Sequence, residues 1–226
     1  MRLRLAIIAA SVFSLCVLPL QAATCMTASY KPGPEEMPVT INAYLDTNCV
    51  RVMYPTAYGI ETLIFRADQR KFAILSPNGK NIQIANEPDG KLEEAGATVP
   101  LRYVKRSAGI NVNGHRCNFY WAMANAVKRQ DLWTTDRRQV ELSSEYLLIL
   151  QRLRRVMIEI GHERDNFFQA GSREFEEAQG FSGIPVRQLN YDSKGQARDS
   201  FDLLTVEPID LPADFFDLPA ATPVDA

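Results

Sequence analysis

Short segments in which every second residue is apolar run from Thr24 to about Ala85, and this alternation constrains the fold more than any other feature. Val39, Ile41, Ala43 and Leu45 alternate with Thr40, Asn42, Tyr44 and Asp46, which gives one apolar and one polar face. Leu63, Phe65 and Ala67 repeat the pattern, and Asp68-Gln69-Arg70 turns the chain into Phe72–Leu75. Pro77-Asn78-Gly79 is a second turn signal before Ile82 and Ile84 resume the alternation. The expectation is an antiparallel meander with one buried face. Pro32, Pro34 and Pro38 crowd its first connection and keep it out of the ladder. Residues 86–100 read as a polar loop. Strand texture returns at Ile110–Val112, Cys117–Ala122 and Leu132–Thr134, with Gly114 at a tight reversal.

The period then changes. Tyr146, Ile149, Leu150, Leu153, Val156, Met157 and Ile160 recur at spacings of three and four, one apolar stripe of a helix. Ser143 or Ser144 caps its start and Glu145 suits its first turn. Gly161 ends or kinks it, and a second amphiphilic stretch runs to about Ala178 before the Gly180-Phe-Ser-Gly183 cluster. Ile184–Tyr191 and Phe201–Val206 flank a turn at Asp192–Gly195, a hairpin. Two prolines in Leu211–Pro219 speak against a central strand there, while Phe215, Phe216 and Leu218 ask for burial.

Arg2 and Arg4, the apolar run Leu5–Leu18, Pro19 and then Ala22-Ala23 have the layout of a secretory signal peptide. The run is shorter than the ~20 residues that span a bilayer core. Expected are a leader over 1–23, one domain over 24–219 with a helical insert at 143–178, and a tail over 220–226. Cys25 follows the leader, but Ala22 and Thr24 stand where an acylation site wants Leu and a small residue. A soluble product cleaved after Ala22 or Ala23, with no transmembrane segment, is therefore expected in a disulfide-permissive space. With 25 basic and 27 acidic residues, bulk charge argues against nucleic acid and against anionic headgroups. Cys25, Cys49 and Cys117 remain after export. If the first two strands pair around Glu35–Val39, Cys25 falls opposite Cys49 within bridging reach and Cys117 stays free; the alternative is three buried thiols.

The order of these segments, with a few local phrases, resembles a family of exported bacterial proteins that carry a domain of unknown function. The phrases are Leu63-Ile-Phe-Arg-Ala-Asp68 leading to Lys71–Pro77, Asn113-Gly-His-Arg-Cys-Asn-Phe-Tyr120, and Leu132-Trp-Thr-Thr-Asp136. Gly183-Ile-Pro-Val-Arg187 and Leu211–Pro219 complete them. The family's fold is similar to that of the outer-membrane lipoprotein carriers and the mycobacterial-type lipid carriers. The resemblance implies an α+β fold: a strongly curved antiparallel sheet, an incomplete barrel, with helices packed on its concave side. It also implies a Gram-negative periplasm, and it transfers no catalytic residues. The Pro-rich first connection, Cys25, Cys49 and the 143–178 insert depart from the pattern.

No residue pattern here points to catalysis, a metal or a cofactor. His162-Glu-Arg-Asp-Asn166 begins like a zinc-protease helix but has Asn where the second His belongs. Gly180-Phe-Ser-Gly183 sets its second glycine one residue early for a nucleophile elbow, so a turn is the reading of Ser182. His115 and Cys117 share a strand face, and Cys117 reads as a structural thiol. Arg137, Arg138, Arg152, Arg154 and Arg155 read as a solvated helix face balanced by Glu141, Glu145 and Glu159. The function expected is a periplasmic, non-enzymatic binding protein for a hydrophobic moiety, a lipid or lipidated protein. Ile149, Leu150, Leu153, Val156, Met157 and Ile160 would line its cavity. The alternatives are an envelope interaction or scaffold protein with a filled core, and, third, a hydrolase.

Overall fold

A computed structural model describes residues 20–78, 82–87, 101–159 and 180–219. A first meander comprises β1 (Leu20–Lys31), β2 (Val39–Leu45), β3 (Cys49–Thr56), β4 (Gly59–Arg66), β5 (Lys71–Leu75) and β6 (Ile82–Asn86). A second comprises β7 (Arg102–Val112), β8 (His115–Ala124) and β9 (Val127–Thr135). A 3-10 turn (Arg137–Val140) and the helix α1 (Ser144–Glu159) lead to β10 (Ile184–Tyr191) and β11 (Ala197–Pro212). All eleven strands form one antiparallel sheet in the order β6-β5-β4-β3-β2-β1-β11-β10-β9-β8-β7. The two halves join where β1 pairs with β11, from Leu20 opposite Pro212 to Lys31 opposite Ser200.

The expected alternation is present. In β2, Ile41, Ala43 and Leu45 are buried while their neighbours are not. These residues form one core with Met26, Val50, Val52, Leu63, Phe65, Phe72, Phe201 and Leu203. The helix α1 lies on that face of the sheet and adds Leu147, Ile149, Leu150, Leu153, Val156 and Met157. Ser143 caps it: its Oγ accepts from the Tyr146 N–H at 3.2 Å. Tight reversals use left-handed backbone. Asn113-Gly114 closes β7–β8 at φ 51° and 83°, the pair favoured in two-residue hairpins.

The expected fold class is corrected by this arrangement. Among the described residues there is one α-helix, and the sheet is an open eleven-stranded layer, not an incomplete barrel with several helices on a concave side. The physical reason is the length of the meander: eleven paired strands present a wide surface, and one helix covers only part of it. On the face away from α1 the β7–β8 tip reaches across to β11. There Asn113 donates to the Leu203 carbonyl (3.2 Å) and to Asp202 Oδ1 (3.4 Å). Residues 1–19, most of the expected leader, lie outside the described residues, as do 79–81, 88–100 of the expected polar loop, 160–179 with the whole second amphiphilic stretch of the expected insert, and 220–226.

Pro208 and Pro212 lie within β11, in the middle of the sheet, against the expectation of no central strand at the start of the 211–219 phrase. β10 pairs with β11 only from Ala197 to Asp202. Beyond that point β11 has β1 on one side and, among the described residues, no ladder partner on the other, an edge position that tolerates proline.

The expected Cys25–Cys49 bridge is also corrected: the structure has free thiols at Cys25, Cys49 and Cys117. The first hairpin does turn over residues 32–38, but it sets Cys25 opposite Tyr44 of β2. Cys49 begins β3, one strand further on. Two strand spacings are about 9–10 Å, beyond the ~7 Å limit for a bridge. Burial pushes the Cys49 thiol up to about 11.

Arg152 does not belong to a solvated helix face. Its guanidinium grips Glu87, just past β6, with Nη2–Oε2 at 2.6 Å and Nε–Oε1 at 3.0 Å, and donates to the Ala67 carbonyl at 3.1 Å. This bidentate pair ties α1 to the end of β6, and the Ala67 bond ties it to the β4–β5 turn. The Arg152 hydrogen bond holds the Glu87 carboxyl below its ordinary 4.5, against the opposing effect of burial. A carboxyl depressed in the folded state stabilises fully above its unfolded pKa and loses that contribution as pH falls through the folded value. Denaturant melts should therefore show the wild type losing stability below about pH 4.5. The Glu87→Gln variant, already weaker at pH 7, should lose less over that interval. Parallel curves for the two would remove this role from Glu87.

Candidate functional site: a basic aromatic sheet face

Strands β7–β10 carry the most distinctive chemistry of the molecule. They hold Arg102, Lys105, Arg106, Arg116, Lys128, Arg129 and Arg187 against one carboxylate, Asp131, in a chain whose formal net charge is −2. The cross-strand register places aromatic rings on one face of this block, opposite the face that bears α1. Phe119 sits opposite Trp133, and Trp121 opposite Asp131. Period-two geometry then lines up Phe119 with Trp121 on β8 and Asp131 with Trp133 on β9.

These residues organise one another. The Phe119 and Trp133 rings stack with centroids 4.7 Å apart. The Arg106 guanidinium lies 4.1 Å from the Trp121 centroid, and the Lys128 ammonium lies 5.7 Å from the same ring. Lys128 also sits 4.4 Å from the Tyr191 ring, so cations and rings alternate along the face. Asp131 Oδ2 accepts from Lys128 Nζ at 2.9 Å and from the Tyr191 hydroxyl at 2.6 Å. Burial alone would lower the Lys128 ammonium, but Asp131 outweighs it and raises the net value. Burial first, and then Asp131, raises the Tyr191 phenol. Lys128 therefore stays charged and Tyr191 stays protonated at neutral pH.

Bulges supply the geometry. The register of β7 against β8 shifts between Lys105 and Ser107, leaving Arg106 as the extra residue over Trp121. Another shift, between Ala122 and Met123, turns Lys128 toward the rings.

The residues singled out from the sequence are placed differently. Ile149, Leu150, Leu153, Val156 and Met157 come together on one stripe and belong to the same buried cluster as the sheet residues Met26, Phe65 and Leu203. Ile160 lies outside the described residues, as does His162. An open cleft of about 510 Å³ lies elsewhere, between β5–β6 and the C-terminal segment, beside Lys71, Ile84, Asn86, Leu218 and Pro219. The Ser182 hydroxyl lies 3.3 Å from the Tyr120 hydroxyl. Cys117 donates to the His115 carbonyl at 3.4 Å, and burial raises its thiol. Among the described residues no three His, Cys, Asp or Glu side chains cluster as metal ligands would, and no helix is long and apolar enough to cross a membrane. The aromatic face is not among the sites expected from the sequence. Its signal is there in Phe119, Trp121 and Met123 at alternate positions, with Trp133 on the next strand.

No protein-family model matches the chain, and no curated protein does. Solved structures do. The complex of MucA and MucB from Pseudomonas aeruginosa matches at 13 % identity over 83 % of this chain and 52 % of that one, with a TM-score of 0.43. The chain thus spans about half the length of that neighbour. An uncharacterised conserved protein from Thermus thermophilus matches at 10 % identity over 90 % of this chain and 87 % of that one, with a TM-score of 0.47. A LolA superfamily protein from Nitrosomonas europaea matches at 7 % identity over 89 % and 91 %, with a TM-score of 0.30. Likeness at this level assigns neither a family nor a function to the chain.

Proposed function

We propose that this chain is a non-catalytic interaction protein of the bacterial periplasm that engages a protein partner through its β7–β10 face and keeps its core filled. The observation that carries this reading is the state of the α1 stripe. Leu153, Val156 and Met157 are only 6 %, 0 % and 3 % exposed and pack into the same cluster as Met26, Phe65 and Leu203. A hydrophobic ligand under α1 would have to displace the helix and break the Arg152–Glu87 pair. The half-buried aromatic row with its cations offers a surface for binding on the other face of the sheet.

The lipid-carrier reading requires Leu153 to border open space, and the two readings differ in energy. A side chain packed on all sides costs about 2–5 kcal/mol when cut to Ala, including the cavity left behind. Leu153→Ala should show a loss in that range in denaturant melts, and the wild type should bind no apolar dye. A loss well under about 2 kcal/mol together with saturable dye binding would transfer the function to a cavity under the helix.

The leader is part of the same reading. Ala23 is 4 % exposed and packs with Cys49, Leu211 and Phe216. Cleavage after Ala22 keeps that contact and cleavage after Ala23 removes it, so the mature chain is expected to begin at Ala23.

A further inference from the structure

The sheet face opposite α1 already receives one segment of defined chemistry, from its own chain. After β11, residues 212–219 fold back over β1–β4. Turns are set by Phe215 N–H to the Pro212 carbonyl and Asp217 N–H to the Asp214 carbonyl, both at 3.0 Å. Phe216 is buried against Ala23, Cys49 and Leu211. Phe215 meets Tyr44 edge-on at 4.9 Å. The Arg51 guanidinium lies 4.6 Å from the Phe215 ring and donates to the Phe215 carbonyl at 2.8 Å. Arg66 pairs with Asp217 at 3.2 Å. An Asp-Phe-Phe-Asp turn is thus held by arginines, by an aromatic edge and by a small apolar hollow.

The β7–β10 face repeats these recognition elements with no described segment over them. Arg106 above Trp121 corresponds in chemistry to Arg51 above Phe215. The Phe119–Trp133 stack offers the aromatic surface. Arg102 and Arg106 are exposed and have no carboxylate partner among the described residues, and the block's single carboxylate is engaged by Lys128 and Tyr191. Charge complementarity selects an acidic occupant, and the rings select an aromatic one.

We propose that the β7–β10 face docks an acidic aromatic peptide segment of a partner protein, phenylalanines flanked by carboxylates, in the manner in which β1–β4 hold residues 212–219. This deepens the interaction-protein reading and rests on it. The carboxylates would pair with Arg102 and Arg106, and the phenyl rings would lie against Trp121 and the Phe119–Trp133 stack.

The chain carries its own reporter, because its two tryptophans, Trp121 and Trp133, both stand on this face. Their fluorescence is therefore read while the full-length protein is titrated with a blocked peptide, Leu-Pro-Ala-Asp-Phe-Phe-Asp-Leu-Pro, which contains no tryptophan. Two control peptides carry Asn for Asp, or Ala for Phe. The expected result is a saturable change with the first peptide, at least about tenfold weaker affinity for each control, and weakening by salt. Arg106→Gln should weaken binding comparably, while Arg51→Gln, at the other site, should leave it unchanged. No saturable change, equal affinity for all three peptides, or indifference to Arg106→Gln would each overturn the proposal. A null titration beside a core-sized cost for Leu153→Ala would reject this occupant and leave the filled-core reading intact. A mild Leu153→Ala with dye bound would reject that reading itself.

Discussion

Cutting Phe65 to alanine is expected to destabilise the protein by about 3–5 kcal/mol, the range for a fully buried phenylalanine. Phe65 is 0 % exposed on β4, opposite Val50 and Phe72 on the neighbouring strands. Its ring also lies 5.5 Å from the Arg152 guanidinium, so the residue supports the helix as well as the sheet. The same truncation at Phe119, half-buried on the opposite face, removes less buried surface and should cost clearly less. Urea melts of the two variants check the order. Equal losses would mean that the two faces are packed alike, which contradicts the division into a buried core face and a half-buried aromatic face.

Gly183→Ala is the second large effect, and it acts through the backbone. Gly183 has φ 90°, and a Cβ added there would stand 2.3 Å from the Thr135 carbonyl oxygen. The unfavourable φ costs about 1–3 kcal/mol, and forcing overlap into a packed site costs about 1–3 kcal/mol. A combined loss on the order of 4 kcal/mol is expected, with β10 pulled from its register against β9. Gly195→Ala separates the two contributions: its φ is 78° but nothing lies within 4 Å of the added carbon. That variant should lose only about 1–2 kcal/mol. If Gly183→Ala melts like Gly195→Ala, the close approach of residue 183 to β9 is not as described.

What the sequence shows about this fold is mostly local. Alternation at Val39–Leu45 and the Asp192–Gly195 turn place β2 and the β10–β11 hairpin, because period and turn chemistry are written in adjacent residues. The helical stripe is legible for the same reason. The β1–β11 pairing that unites the sheet is not, since Met26 meets Val206 across almost the whole chain and no local pattern encodes that choice. Nor is the fate of Cys25, which depends on which strand stands beside it rather than on its spacing from Cys49. The role of Arg152 is hidden for a similar reason, because its partner, Glu87, lies far away in sequence. The basic aromatic face is half legible: the alternate aromatics are visible, but the bulge that brings Arg106 over Trp121 emerges only once β7 and β8 are paired.

The central claim, a filled core with function on the surface, is tested most directly by the native mass spectrum of the protein exported to and purified from a Gram-negative periplasm. The account predicts the mass of a chain beginning at Ala23 with three free thiols and no lipid or acyl adduct. A retained lipid on the folded protein would contradict it.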